Sequence, residues 1–212
     1  MLEFILLLFI VFVQNAAVFL DNHGVFYLTS RHDSANVARV YTKKYQIDFL
    51  CRGFLFFTPP LLGLMLTKNN LYFLLLSLLV SSVVSLALSI FQSAYFLKKM
   101  KMKFYLPISI KNILLISIGI IIYAIYLYVP FFLNILSYFF KEHSLWIVQL
   151  SPILTVGSSI FVVYYLDPHI AQFIDSPKNQ KNSSILFELI AIRFLGRTLN
   201  VVISIFLITT FG

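Results

Sequence analysis

Two arginines, Arg193 and Arg197, stand four residues apart in a stretch that is otherwise mostly apolar. Four residues is close to one helical turn, so both guanidinium groups project from one face of a helix. Adjacent cations repel unless an anion or a carboxylate sits between them, and a guanidinium fork matches phosphate oxygens. The pair is therefore a candidate anion site or functional ion pair. The competing reading is that both side chains reach for the membrane interface with only their stems in apolar surroundings. Arg52, near the start of another apolar stretch, either joins the same basic site or serves as one more topology signal. Acidic partners are few. Asp48 is spaced to pair with Arg52, and Glu188 faces away from both arginines. Asp48 and Glu188 are the ion-coupling candidates. With protein carboxylates so scarce, a phosphate-bearing ligand is the expected partner of Arg193 and Arg197.

Other chemistry has no motif to carry it. There is no glycine-rich phosphate loop, no HExxH and no CxxC pair. His23, His32, His143 and His169 show no metal-ligand spacing, so no metal site and no cofactor are expected. Cys51 is the single cysteine and reads as a core thiol. Neither a catalytic residue nor an enzymatic activity is expected.

These residues have to be positioned by elements that can live in lipid. Of 212 residues, 60% are hydrophobic and 11% charged, whereas soluble domains carry roughly 25% charged residues. A chain this apolar is expected to be all-α and polytopic, a single transmembrane domain over residues 1–212. About six spans are readable, near Leu2–Leu20, Phe49–Leu66, Leu71–Leu97, Ile113–Phe140, Leu145–Leu166 and Ser184–Phe211. The first lacks a basic leader and is read as a retained helix. Pro59, Pro60 and Gly63 are expected to kink or open span two, with Pro152 doing the same in span five. These four are the gating or hinge candidates. The strings at Pro60–Gly63 and Pro152–Gly157 echo one another faintly, as two inverted three-helix halves would. The serines of span three, Ser77, Ser81, Ser82, Ser85 and Ser89, suit close helix packing, with a polar path as the alternative. Trp146 and the tyrosines at span ends suit an aromatic belt.

The net charge of +8 would suggest nucleic acid in a soluble protein. Here the cations mark loops instead, so membrane lipid and not nucleic acid is the expected partner. Arg31, Arg39, Lys43 and Lys44 follow span one, Lys98, Lys99, Lys101, Lys103 and Lys111 follow span three, and Lys178 and Lys181 follow span five. The intervening loops carry only Lys68 and Lys141. The positive-inside rule puts the basic loops in the cytoplasm and both termini outside. Residues 34–45 read either as an amphipathic surface helix meeting anionic headgroups or as an ordinary basic loop.

Three features together resemble the Amj family of bacterial lipid II flippases. A basic loop leads to Arg52 and then Pro59-Pro60-Leu61-Leu62-Gly63. Span five ends in Tyr165-Leu166-Asp167-Pro168, with Asp175 beyond it. Span six reads Arg193-Phe194-Leu195-Gly196-Arg197-Thr198-Leu199. The resemblance implies a transporter of lipid II, an undecaprenyl-pyrophosphate-linked peptidoglycan precursor, across the bacterial cytoplasmic membrane, in the service of cell-wall biogenesis. Arg52, Arg193 and Arg197 would hold the pyrophosphate. The alternatives are a transporter of another polyprenyl-linked glycan and a structural or assembly subunit of a membrane complex. A polyprenyl-phosphate transferase would show clustered aspartates, which this sequence does not have.

Overall fold

The computed structural model describes residues 2–30, 37–66, 71–100, 110–151, 153–154, 164 and 181–212. Among the described residues the helices are α1 (Leu2–Ser30), α2 (Val37–Leu66), α3 (Leu71–Met100), α4 (Ile110–Ile125), α5 (Val129–Phe139), α6 (Ser144–Gln149) and α7 (Lys181–Phe211). Two 3-10 turns, Tyr126–Tyr128 and Lys141–His143, join α4 to α5 and α5 to α6. The chain is an all-α polytopic membrane protein. Among the described residues five segments are long and apolar enough to cross a bilayer: Leu2–Gly24, Thr42–Leu66, Leu71–Lys98, Ile116–Phe139 and Glu188–Phe211. Most of the expected fifth span, with Pro152, the Pro152–Gly157 echo, Asp167, Pro168 and Asp175, lies outside the described residues. So does any test of inverted halves.

The bundle follows from where polarity can be hidden. Phe4, Phe12, Phe49, Phe56, Phe91, Trp146 and Phe206 face outward, while Gln14, Asn22, Asn134, Asn200 and the span-three serines are buried. Lipid is as apolar as leucine, so such a helix gains nothing by hiding leucine and much by hiding amides and hydroxyls. α1 packs on α2 and α3, α3 also packs on α7, and α7 packs on α4; α5 closes the bundle against α2 and α3. The apolar centre joins Leu7, Ile10, Val18, Leu62, Leu74, Leu78, Leu127 and Phe131. Cys51 is buried there, its thiol donating to the Ala17 carbonyl at 3.3 Å and tying α2 to α1.

Local structure departs from the simplest reading in three places. α2 stays helical through Pro59 and Pro60 and shows no opening there. Each proline removes a backbone hydrogen bond and sets its ring against the carbonyl four residues earlier, so a bend within the continuous helix remains compatible with the expected hinge. The break falls in span four instead. Pro130 is the second residue of α5 and supplies no N–H to the turn before it, and that turn tightens to 3-10 at Tyr126–Tyr128. The buried Gln14 amide of α1 donates to the Leu127 carbonyl in that turn. Lastly, residues 37–45 are the start of α2 and not a separate surface helix. Lys44 is buried, with its ammonium 3.2 Å from the Asp48 carboxylate one turn on.

The serine-rich face of α3 packs, as one of its two readings expected. All five serines are buried. Ser77, Ser82 and Ser85 donate back to carbonyls of their own helix at 2.7–2.8 Å. Ser82 and Ser204 hydroxyls meet at 3.0 Å, joining α3 to α7. Tyr128 donates to Ser85 Oγ at 2.8 Å and lies 3.2 Å from the Ser81 carbonyl.

Candidate functional site

The arginine face of α7 is set by a close helix crossing. A Cβ on Gly196 would lie 2.8 Å from Tyr123 Cβ and 3.0 Å from the Ile120 carbonyl oxygen, so only glycine permits the approach of α4. One turn away, a Cβ on Gly119 would meet the Ile192 side chain at 3.0 Å. This contact brings Tyr123 against Arg193. The guanidinium carbon lies 4.6 Å from the tyrosine ring centroid, and Nη2 donates to the phenol oxygen at 2.6 Å. Nη1 reaches the Leu189 carbonyl at 3.5 Å. Arg193 is thus held by a cation–π contact as well as a hydrogen bond.

Arg197 is held differently. It is fully buried, and its Nη2 lies 3.8 Å from Asp21 Oδ2, the same oxygen that lies 3.6 Å from Arg193 Nε. A hydrogen bond from nitrogen to oxygen closes at roughly 2.7–3.2 Å. Both pairs are therefore ion pairs without a hydrogen bond. Arg193 Nε, all three Arg197 nitrogens, Asp21 Oδ2 and both amide atoms of Asn200 have no hydrogen-bond partner in the structure. Asn200 lies three residues beyond Arg197 and is itself fully buried. One carboxylate faces two guanidinium groups, leaving one positive charge in excess within the triad.

Asp21 is the residue the sequence reading missed. It follows the apolar run Leu2–Leu20 directly and looked like the edge of span one, yet α1 continues to Ser30 and the spanning segment to Gly24. The signal was present in the apolar residues beyond it, from Val25 to Leu28, which show that the helix does not stop at Asp21. Its neighbour Asn22 anchors this level of α1, donating to Ser89 Oγ at 3.1 Å and to Gln92 Oε1 at 2.8 Å on α3. Gln92 in turn donates to the Phe19 carbonyl at 3.2 Å. Asn22 thus turns to α3 while Asp21 turns to α7.

The remaining candidates separate. Arg193 and Arg197 come together as expected and are buried in the bundle. Arg52 is exposed on α2, and Asp48, expected to pair with it, has Lys44 as its partner. Lys44 precedes Asp48 by one helical turn just as Arg52 follows it, so helical spacing alone offered both partners. Glu188 is buried near the start of the last spanning segment. Gly63 lines a groove of about 480 Å³ with Asn134, Ser137 and Lys141, well along the chain from the arginines. No metal-binding group of three or more ligands exists among the described residues. No family model, curated protein or solved structure matches this chain.

Proposed function

We propose that this membrane protein is a transporter for a lipid-linked pyrophosphate of the polyprenyl-linked glycan class, such as lipid II. The observation that supports it most is Arg197, a fully buried guanidinium whose three nitrogens make no hydrogen bond. An unfilled fork in apolar surroundings is costly, and intramembrane charges mark substrate pathways more often than packing. Arg193 four residues earlier supplies a second fork on the same face, and two forks suit a group with many anionic oxygens. Arg52 is exposed on α2 and is available to an arriving headgroup outside the bundle. The polyprenyl tail would stay in lipid while the charged head enters.

The experiment is transport of a labelled polyprenyl-pyrophosphate glycan across vesicles containing the purified chain. Wild type should move the label between leaflets, and Arg197→Gln should not. Equal transport by the variant would remove the reading. The same reading places the basic loops in the cytoplasm and both termini outside, so reporters fused at Gly212 and near Lys101 should give opposite signals.

A second reading has Asp21 in its favour, since this chain provides its arginines with a carboxylate of its own. In that reading the triad is the structural core of an assembly subunit. Substitutions at Asp21, Arg193 and Arg197 would then lower thermal stability together, and vesicles would show no transport with any of them.

A further inference from the structure

Asp21 occupies the place where an anion would bind, but it fills that place poorly. Its Oδ2 lies 3.6 Å from Arg193 Nε and 3.8 Å from Arg197 Nη2, near enough to neutralise charge and too far to close a hydrogen bond. The donors that it faces stay open, Arg193 Nε and the whole Arg197 fork. A phosphate group has more oxygens than a carboxylate and can close both forks at once. Exposure is also uneven: the Asp21 side chain retains 16%, against 4% and 0% for the two arginines. An anion approaching from solvent or headgroups therefore meets Asp21 before it meets either guanidinium. Two anions cannot share the position, so one must leave.

The backbone beside Asp21 is fixed. Asn22 is bonded to Ser89 and Gln92, and Gln92 to the Phe19 carbonyl, so this turn of α1 is clipped to α3. What can move is the aspartate side chain, by a rotamer change of the ordinary kind. We infer that Asp21 is an exchangeable internal counter-ion, seated between Arg193 and Arg197 when no phosphate is bound and displaced when a phosphate arrives. Its return would then help to expel the phosphate. This inference rests on the reading of the arginine pair as a phosphate site.

A seated competitor lowers the apparent affinity of the site by the fraction of time that it is absent. If Asp21 is seated about nine-tenths of the time, removing its charge should tighten phosphate binding about tenfold. Transport should fall, because release loses its competitor. An aspartate that only stabilises the fold would not move binding and transport in opposite directions.

The test uses the full chain in detergent, titrated with inorganic pyrophosphate and, separately, with a polyprenyl pyrophosphate carried in the same micelles. Calorimetry is run on wild type, Asp21→Asn, Arg197→Gln and the double variant. Asp21→Asn should bind about tenfold tighter than wild type, and Arg197→Gln should lose binding with either residue at position 21. Binding of the lipid probe alone would identify the source as a headgroup, and binding of both would admit free pyrophosphate; either supports the inference if the Asp21→Asn gain appears. Binding by Asp21→Asn equal to or weaker than wild type, with Arg197 still required, overturns the counter-ion and leaves the arginine site standing. No binding of either probe by wild type or Asp21→Asn removes the site and the inference with it. If Asp21→Asn does not fold, Asp21→Glu decides: its longer carboxylate reaches the forks, so it should bind pyrophosphate more weakly than wild type with an intact thermal transition. Equal or tighter binding by that variant overturns the proposal.

Discussion

Two polar layers run through the same bundle and are finished differently. The layer between α1, α3, α7 and the 3-10 turn is largely closed: Tyr128 meets the Ser81 carbonyl and Ser85, Ser82 meets Ser204, and Gln14 donates to the Leu127 carbonyl, while Ser81 Oγ and Gln14 Oε1 stay without a partner. The layer between α1, α4 and α7 is open: Arg197 and Asn200 keep every side-chain donor unused, and Asp21 neutralises without bonding. Tyr128 and Arg197 are both fully buried, while Asp21 keeps 16% of its side chain exposed. What distinguishes them most is how many of their buried donors find a partner. A closed layer joins helices, and an open one leaves buried donors without partners, the feature on which the proposed anion site rests.

The largest expected effect breaks the open layer. Arg197→Gln removes a charged donor set, and hydrogen bonds to charged groups contribute roughly 1.5–3 kcal/mol. Pyrophosphate affinity should fall about ten- to a hundredfold, measured by calorimetry. The melting temperature should change less than the affinity, because the side chain makes no hydrogen bond within the fold and Asp21 keeps Arg193 as its counter-ion. A large loss of stability with affinity preserved would make the open layer as structural as the closed one.

Next in size is Gly196→Val, which attacks the scaffold of the open layer. A Cβ there would already lie 2.8 Å from Tyr123 Cβ, and overpacking costs about 1–3 kcal/mol. Thermal unfolding should come several degrees earlier, and Arg193 should lose its tyrosine partner along with the crossing.

Tyr128→Phe sharpens the contrast from the other side. It deletes a buried hydroxyl whose one proton is directed at Ser85 Oγ and the Ser81 carbonyl. Interhelical hydrogen bonds in membranes contribute about 0.6 kcal/mol and at most about 1.7. Stability should fall within that range while vesicle transport stays at the wild-type rate. The smallest effect is expected of Ser82→Ala, which loses one shared hydroxyl contact with Ser204, about 0.6 kcal/mol or less. A transport defect in either variant would erase the distinction between the layers.

Much of this arrangement was legible in the residues. The long apolar runs required a helical membrane bundle, and the spacing of Arg193 and Arg197 put them on one face. The serine face of α3 packs, as helix-packing chemistry suggests. What did not follow was the partner. Asp21 looked like the end of a span because hydropathy falls there, whereas the helix continues and Asn22 is accommodated by bonds to α3. Those bonds join residues about 70 positions apart in the chain, and no local pattern encodes them. The prolines teach the same lesson. Pro59 and Pro60 have the stronger sequence signal and α2 passes through them, while the single Pro130 coincides with a tightened turn that has a donor from α1. Where a helix loosens depends on what the rest of the fold offers to its carbonyls.

The glycine crossing has a mechanical side. With Gly196 against Tyr123 Cβ and Gly119 against Ile192, α4 and α7 touch with little side chain between them to act as a cushion. Such a pair has little slack at the crossing. The joint nearest to it is the turn Tyr126–Tyr128, which begins three residues after Tyr123. Any rotation at that joint would swing Tyr123, and with it the anchored guanidinium of Arg193, relative to the aspartate clipped in place on α1. Leverage and charge separation would then be a single coordinate: the bundle could not bend there without changing the distance between its own ions.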